Sequence, residues 1–334
     1  MSRKPLHVVG IGNAIVDIIS RCDDVFLAAR DLPKGHMRLI DAAEADRLYA
    51  AMGPAVEISG GSAANTCAGL ASFGVEAGFI GRVADDQFGN VFGHDIRSVG
   101  VAYDTAPSTD GAPTAKSLIL VTPDGERTMN TFLGASVELG PQDLDRAMIQ
   151  DAQITYLEGY LFDPPEAKSA FHEAVEVAGA AGNKVALSLS DAFCVDRHRA
   201  AFRSLIQSGV DLLFANEEEI CSLYEVTDFD AAVAAVREET ALAALTRGGA
   251  GSIVVTPERV TEIAAEPVDT VVDTTGAGDL YAAGFLYGVA TERDHAVCGQ
   301  LASLAAAEII SHIGARPATS LAQLAQAAGV TAEV

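Results

Sequence analysis

Short apolar runs of four to six residues alternate along the chain with longer, Ala-rich stretches whose apolar positions recur at helical spacing. That rhythm predicts a parallel sheet covered by helices. Strands are expected at 7–10, 78–81, 154–157, 184–189, 212–215, 242–246 and 252–256, and helices at 62–73, 87–99, 167–181 and 231–239. Two regions, 13–59 and 113–134, break the rhythm with extended segments and turn residues. In the second, 117–121 and 127–132 flank Pro123-Asp124-Gly125-Glu126, which predicts a β-hairpin. The expected architecture is a three-layer α/β/α body over 1–12, 60–112 and 135–334 with a central, mostly parallel sheet. A small β-rich lid would be assembled from 13–59 and 113–134.

The length of 334 residues suits two domains, or one large α/β domain with an insertion. A hydrophobic fraction of 49% is ample for a core, so disorder is not expected despite a formal charge of −24. That charge makes nucleic acid a poor partner and anionic membranes a repelling surface. The apolar stretches at 280–290 and 301–310 are too short and interrupted to span a bilayer. The opening Met-Ser-Arg-Lys-Pro shows no leader pattern. The five cysteines are scattered without a Cys-x-x-Cys pair, which suits a reducing compartment; a cytoplasmic protein is expected. The seven histidines never fall at metal-ligand spacing. Small molecules remain as partners, and a phosphate among them needs a locally positive site in a negative whole.

Asp273-Thr274-Thr275-Gly276-Ala277-Gly278-Asp279 follows the strand-like Val271-Val272 and runs into an apolar helix. Gly276 and Gly278 let backbone approach a ligand, and the first N–H groups of the helix point outward. Such a nest binds an anion, best of all charge developing on a transferring phosphoryl group. A plain capped helix accounts for the turn but not for the flanking aspartates; Asp279 at that spot can accept a proton from an attacking hydroxyl. Ser59-Gly60-Gly61-Ser62-Ala63-Ala64-Asn65 opens a second helix, where Asn65 offers both donor and acceptor, as sugar hydroxyls require.

Gly10-Ile11-Gly12 after a strand invites a dinucleotide-binding reading, and with it an oxidoreductase. Ile15 stands where the third glycine belongs, and 15–19 continues as strand rather than as a helix carrying pyrophosphate. What remains is Asp17, an acid among apolar neighbours, four residues after Asn13: either a satisfied core aspartate or an acceptor for a sugar diol. Asn216 and Glu219 face one side of a helix start and can order Mg²⁺-bound water or phosphate, or form only a solvated acidic helix end. Thr246-Arg247-Gly248-Gly249-Ala250-Gly251-Ser252 joins two strands as a glycine hairpin or flanks a nucleotide. Arg127, in the β-rich segment, is a mobile cation for phosphate or an ordinary exposed arginine.

Together these motifs resemble the ribokinase-like (PfkB) superfamily of carbohydrate and nucleoside kinases, over essentially the whole chain. The stretches 10–17, 60–65, 86–89, 113–114 and 130–136 are most similar to its adenosine kinase branch. The resemblance implies an ATP- and Mg²⁺-dependent kinase with Asp279 as general base and Gly276, Ala277 and Gly278 as anion hole. It implies ribose-diol contacts from Asn13, Asp17, Gly60, Gly61 and Asn65, and Arg127 descending onto phosphate. Asn216 and Glu219 would serve Mg²⁺ and phosphate, and Thr246, Gly249 and Gly251 would line ATP. Asp273, Thr275 and the backbone near Gly314 correspond to a K⁺ loop, although Ala318 stands where some relatives carry serine. Glu158-Gly159-Tyr160-Leu161-Phe162 corresponds to the adenine contacts, with Leu161 where the animal enzymes carry phenylalanine. Adenosine is the expected acceptor; a sugar kinase and a non-catalytic sensor on the same fold are the alternatives. The chain is expected to be a monomer or a homodimer.

Overall fold

The computed structural model describes residues 6–162 and 164–330; residues 1–5, read above for a leader, lie outside them. In chain order the strands are β1 (Leu6–Ile11), β2 (Ile15–Arg21), β3 (Met37–Leu39), β4 (Ala55–Gly60), β5 (Ala77–Ile80), β6 (Val101–Ala102) and β7 (Ala115–Val121). There follow β8 (Arg127–Phe132), β9 (Ala152–Glu158), β10 (Lys184–Ser188), β11 (Leu212–Asn216), β12 (Leu242–Thr246), β13 (Ser252–Val255) and β14 (Val260–Ile263). Nine of them form one sheet in the order β14-β13-β12-β11-β10-β9-β1-β5-β6. Every pairing from β12 through β6 is parallel, and β13 alone is reversed, pairing antiparallel with both β12 and β14.

Alternation along these strands divides the core into two layers, because successive side chains leave a strand on opposite faces. Val8, Tyr156, Phe214 and Ala244 pack with helices Ser62–Ser72, Ala277–Ala290 and His295–Ile310. Val9, Ile11, Leu157, Leu187, Leu213 and Leu245 pack on the opposite face with helices Pro165–Ala181, Ala192–Gly209 and Phe229–Glu239. Full burial of each large side chain contributes roughly 1.5–3 kcal/mol. The helix Ala277–Ala290 is apolar on nearly every side because it lies inside, with Leu280, Ala283, Phe285 and Leu286 all buried.

The second sheet has the order β3-β8-β7-β2-β4, and its strands lie within 15–60 and 115–132. The chain enters it by a break at 12–14, where β1 ends and β2 begins in the other sheet. No helix follows Gly12, so the rejection of a dinucleotide fingerprint stands. Three expectations need correction. Val271 and Val272 form no strand: they are exposed, with Val272 N–H donating to the Ile310 carbonyl, because no strand edge lies beside them. The segment 13–59 is not wholly extended, since it includes the helix Ala42–Ala51. Asp41 caps that helix by accepting from Glu44 N–H at 2.7 Å, a signal legible in its Ala-rich sequence. Arg127 is not exposed but buried in β8.

Candidate active site

A cavity of ≈570 Å³ opens at the carboxyl ends of the parallel strands, between the two sheets. This is where doubly wound sheets take ligands, because the connecting loops diverge there. Ser188 of β10, Phe214 and Asn216 of β11, Ala244 and Thr246 of β12, and Tyr160 after β9 line one side. The second sheet supplies Asp17, Ser117, Ile119, Met129 and Met37. Its period of two explains the selection: Asp17 pairs in register with Ser117, and Ile119 with Met129. Their neighbours Val16, Ile18, Leu118 and Leu120 turn into the core.

The glycine turn closes the floor. Gly276 caps the helix Ala277–Ala290 in the left-handed region (φ +80°), with Ala315 packed where a side chain would go. Thr274, Thr275, Gly276, Ala277, Gly278 and Asp279 all line the cavity. The N–H of Ala277 donates to the Thr274 carbonyl at 3.2 Å, so the flanking glycine backbone is the better placed part of the proposed anion hole. The Asp279 carboxylate accepts from Ser62 Oγ at 2.6 Å and from Asn65 Nδ2 at 2.9 Å. Burial raises its pKa, while those two hydrogen bonds and the charge of Arg316 pull it back.

The second motif meets the first across this floor. Gly61 (φ +100°) heads the helix Ser62–Ser72 with its Cα so close to the Asn13 carbonyl that a Cβ would collide. Gly60 packs on the Asp17 carboxylate and does not itself line the cavity. Asp17 does line it, and burial raises its pKa to about 6 against the lowering charges of Arg127 and Arg316. Asn13 lies just behind: its N–H and Nδ2 donate to Glu158 Oε1 at 3.2 and 2.7 Å. Glu158 Oε2 accepts from Ala63 N–H at 2.7 Å, and burial raises Glu158 to about 7. The amide oxygens of Asn13 and Asn65 are buried without a hydrogen-bond partner, and Asn65, which lines the cavity, has its acceptor left for a donor there.

Asp273 and Arg127 form an ion pair with both side chains buried. Arg127 is therefore not among the cavity's lining residues, unlike the mobile phosphate cation expected from sequence. The Asp273 carboxylate also accepts from Thr275 N–H and Gly314 N–H, each at 3.0 Å. Burial works to raise Asp273, but these hydrogen bonds and the Arg127 charge hold it below the usual carboxylate range. The expected K⁺ loop is thus assembled, but its carboxylate already faces N–H donors and a guanidinium. A cation there would have to displace Arg127; this arrangement does not fit K⁺, and no step below depends on one.

Asn216 and Glu219 both line the cavity and form a capping box: Asn216 Oδ1 accepts from Glu219 N–H at 2.8 Å, and Glu219 accepts from Asn216 N–H and Nδ2 at 2.9 and 2.6 Å. Burial raises Glu219 to about 7. Among the described residues no group of three or more His, Cys, Asp or Glu is placed to hold a metal. The pair instead suits water around a phosphate-borne Mg²⁺, an ion that keeps much of its hydration. A second cavity of ≈570 Å³ shares Thr246, Thr274, Ala277, Gly278 and Tyr281 with the first. Gly249 and Gly251 line it together with the apolar Pro267, Val268, Val271, Ala306 and Ile310. The glycine turn therefore lies where two ligand-sized cavities meet.

Leu161 is a correction: it is fully buried in the core beneath the sheet, and Tyr160 lines the cavity instead. The short 3-10 turn Gly159–Phe162 rotates the chain so that Leu161 and Phe162 point inward. Sequence reasoning assigned no role to Ser62, Glu158 or Arg316. Ser62 was within reach, as the first helical residue after the glycine pair. Glu158 lies at the head of the stretch matched to the base contacts, but only the fold shows that its carboxylate holds Asn13 and Ala63; Arg316 stands alone in the chain.

An anion nest with a buried carboxylate, between two cavities at the carboxyl edge of a doubly wound sheet, is the apparatus of a phosphotransferase. The pfkB family carbohydrate kinase pattern matches residues 37–321, and the chain belongs to that family. It is an ATP-dependent kinase of a sugar or nucleoside. An ATP-dependent ribose-1-phosphate kinase of Halopiger xanaduensis is 31% identical over 302 residues, covering 86% of this chain and 94% of its own. Among solved structures, a probable sugar kinase from Rhizobium etli matches with a TM-score of 0.91 and 48% identity, over 98% of this chain and 100% of its own. The adenosine kinase from Sinorhizobium meliloti matches with a TM-score of 0.89 and 52% identity, over 97% and 99%. No helix among the described residues is long and apolar enough to cross a membrane.

Proposed function

We propose that the protein transfers the γ-phosphoryl group of MgATP to the 5′-hydroxyl of adenosine. The observation that carries this reading is the make-up of the acceptor cavity. Asp17, Asn65 and Asp279 form its polar floor, Met37, Ile119, Met129 and Tyr160 its apolar wall, and no Lys, Arg or His is among its lining residues. A free sugar has no use for the apolar wall, and an acceptor already carrying phosphate would lie against carboxylates without a cation. A nucleoside uses both ends: hydroxyls on the floor, base against the wall. The 52% identity to the S. meliloti adenosine kinase supports the same choice over the ribose-1-phosphate kinase at 31%.

In this reading ATP lies in the second cavity with its γ-phosphate at the glycine turn. Asn216 and Glu219 would order the waters of a phosphate-borne Mg²⁺, which would supply charge neutralisation there. Asp279 accepts the proton of the 5′-hydroxyl as that oxygen attacks, held in line by Ser62 and Asn65. A loose phosphoryl-transfer transition state needs that proton removed late, so a carboxylate suffices. Backbone N–H groups beside Gly276 and Gly278 meet the developing charge. The second sheet serves as a lid that keeps water from competing with the acceptor. The test is ADP release with MgATP and adenosine, inosine, guanosine, cytidine, ribose, ribose 1-phosphate or fructose. Highest kcat/KM with adenosine is expected; turnover confined to a sugar or sugar phosphate overturns the assignment.

A further inference from the structure

Arg316 lies in the loop after the helix His295–Ile310, and its guanidinium is buried. Its Nε and Nη2 donate to the Ser59 carbonyl at 3.2 and 2.7 Å, Nη2 to Ser59 Oγ at 2.9 Å, and Nη1 to the Ala64 carbonyl at 2.9 Å. Ser59 is gripped from its other side by Asp95, which accepts from its N–H at 2.8 Å and its Oγ at 2.6 Å. Between Ser59 and Ala64 lie Gly60 and Gly61, the crossing that seats the Asp17 carboxylate and leads into Ser62 and Asn65. One planar fork thus anchors both ends of the segment that shapes the polar floor.

We propose that Arg316 is a positioning residue for phosphoryl transfer, fixing the Gly60-Gly61 crossing while holding a buried positive charge against Asp279 and Asp17. This rests on the reading of Asp279 as the base. Besides Arg316, the ionisable groups that feel the Asp279 charge are Asp17, Glu158, Tyr156 and Tyr160, each of which it pushes toward its protonated form; of these only the carboxylates of Asp17 and Glu158 can repel it in return. Alongside the hydrogen bonds from Ser62 and Asn65, Arg316 is the positive charge that favours the carboxylate form, so its removal raises the pKa of the base and moves the acid limb of kcat/KM to higher pH.

The experiment compares Arg316→Gln, Arg316→Lys and Asp279→Asn with the unaltered protein by ADP release from pH 5 to 9. Arg316→Gln loses both the span and the charge: it is expected to raise the acceptor KM about tenfold at every pH and, in addition, to move the acid limb up by about one pH unit, a further roughly tenfold loss confined to the acid end. Arg316→Lys keeps the charge but cannot span Ser59 and Ala64 together. It should leave the limb in place while raising the acceptor KM about tenfold. A limb unmoved by Gln, or an unchanged KM with Lys, overturns the proposal. If Gln does not fold, Lys decides alone: a raised limb or an unaltered KM overturns it. Asp279→Asn separates the two readings. Lost turnover there with an unmoved Gln limb removes only the role of Arg316, whereas retained turnover removes both.

Discussion

Arg127 of β8 and Asp273 of the glycine loop pair across the seam between the two sheets, each side chain almost wholly withdrawn from water. Removing one partner of such a pair strands the other charge in a low-dielectric site. Arg127→Met should therefore destabilise the fold by about 3–5 kcal/mol. The double variant Arg127→Met with Asp273→Asn should recover part of that loss, because no unpaired charge is left. Urea midpoints of the three proteins check this. A single variant within about 0.5 kcal/mol of the original would mean that the pair is not formed in solution.

Asp279→Asn keeps the shape of the side chain and its place beside Ser62 and Asn65 but removes the proton acceptor. The expected loss in kcat is ~10²–10⁴-fold, the range for losing a general base. ATP binding should change little, because the second cavity meets the first at the glycine backbone and does not include Asp279. Steady-state kinetics with titration calorimetry of ATP tests both halves. A near-normal kcat would remove Asp279 from the role.

These residues also mark how far the sequence could be read. The place of Asp279 and the glycine turn in the cavity was legible because turn and helix start are local and lie within seven consecutive positions. The main sheet was legible for the same reason, since each buried strand is a short apolar run between helical periods. Arg127 was misjudged because burial of a charge depends on a partner 146 residues away in the chain. Leu161 was chosen over Tyr160 because a one-residue error in a 3-10 turn reverses which side chain faces the ligand. Val271 and Val272 looked like a strand because β-branched residues favour extended backbone, but a strand needs a neighbouring edge. Glu158 opened the stretch matched to the base contacts but its carboxylate was given no part, and Arg316 carried no local signal at all.

Glu158 gives stability a pH dependence that can be isolated. Its pKa rises from 4.5 to about 7 on folding because burial disfavours the charge. Between those values the folded state holds the proton and the unfolded chain has released it. The contribution of this group is therefore fully present below pH 4.5 and is lost as pH rises through 7. Glu158→Gln removes the titration while keeping an oxygen for Asn13 or Ala63. The variant should trail the original protein most at pH 5, and the gap should narrow by pH 8. Urea unfolding at the two pH values measures it; a gap that widens with pH contradicts the burial-driven shift.

Tyr160 tests whether the apolar wall reads a base. It is part of the cavity, partly exposed, and follows directly on the strand whose last residue, Glu158, anchors Asn13. A flat ring there offers a nucleobase a face and offers a free sugar nothing comparable. Stacking of a base on an aromatic side chain contributes about 1–3 kcal/mol by alanine substitution, which corresponds to roughly 5- to 150-fold in affinity. Tyr160→Ala should therefore raise the adenosine KM within that range with a smaller effect on kcat, because the ring lies apart from the reacting hydroxyl. Any weak turnover of ribose should be unchanged. Parallel kinetics with the two acceptors decide the point. Equal losses for adenosine and ribose would mean that Tyr160 shapes the loop rather than the base site, and Met37, Ile119 and Met129 would be left to hold the base.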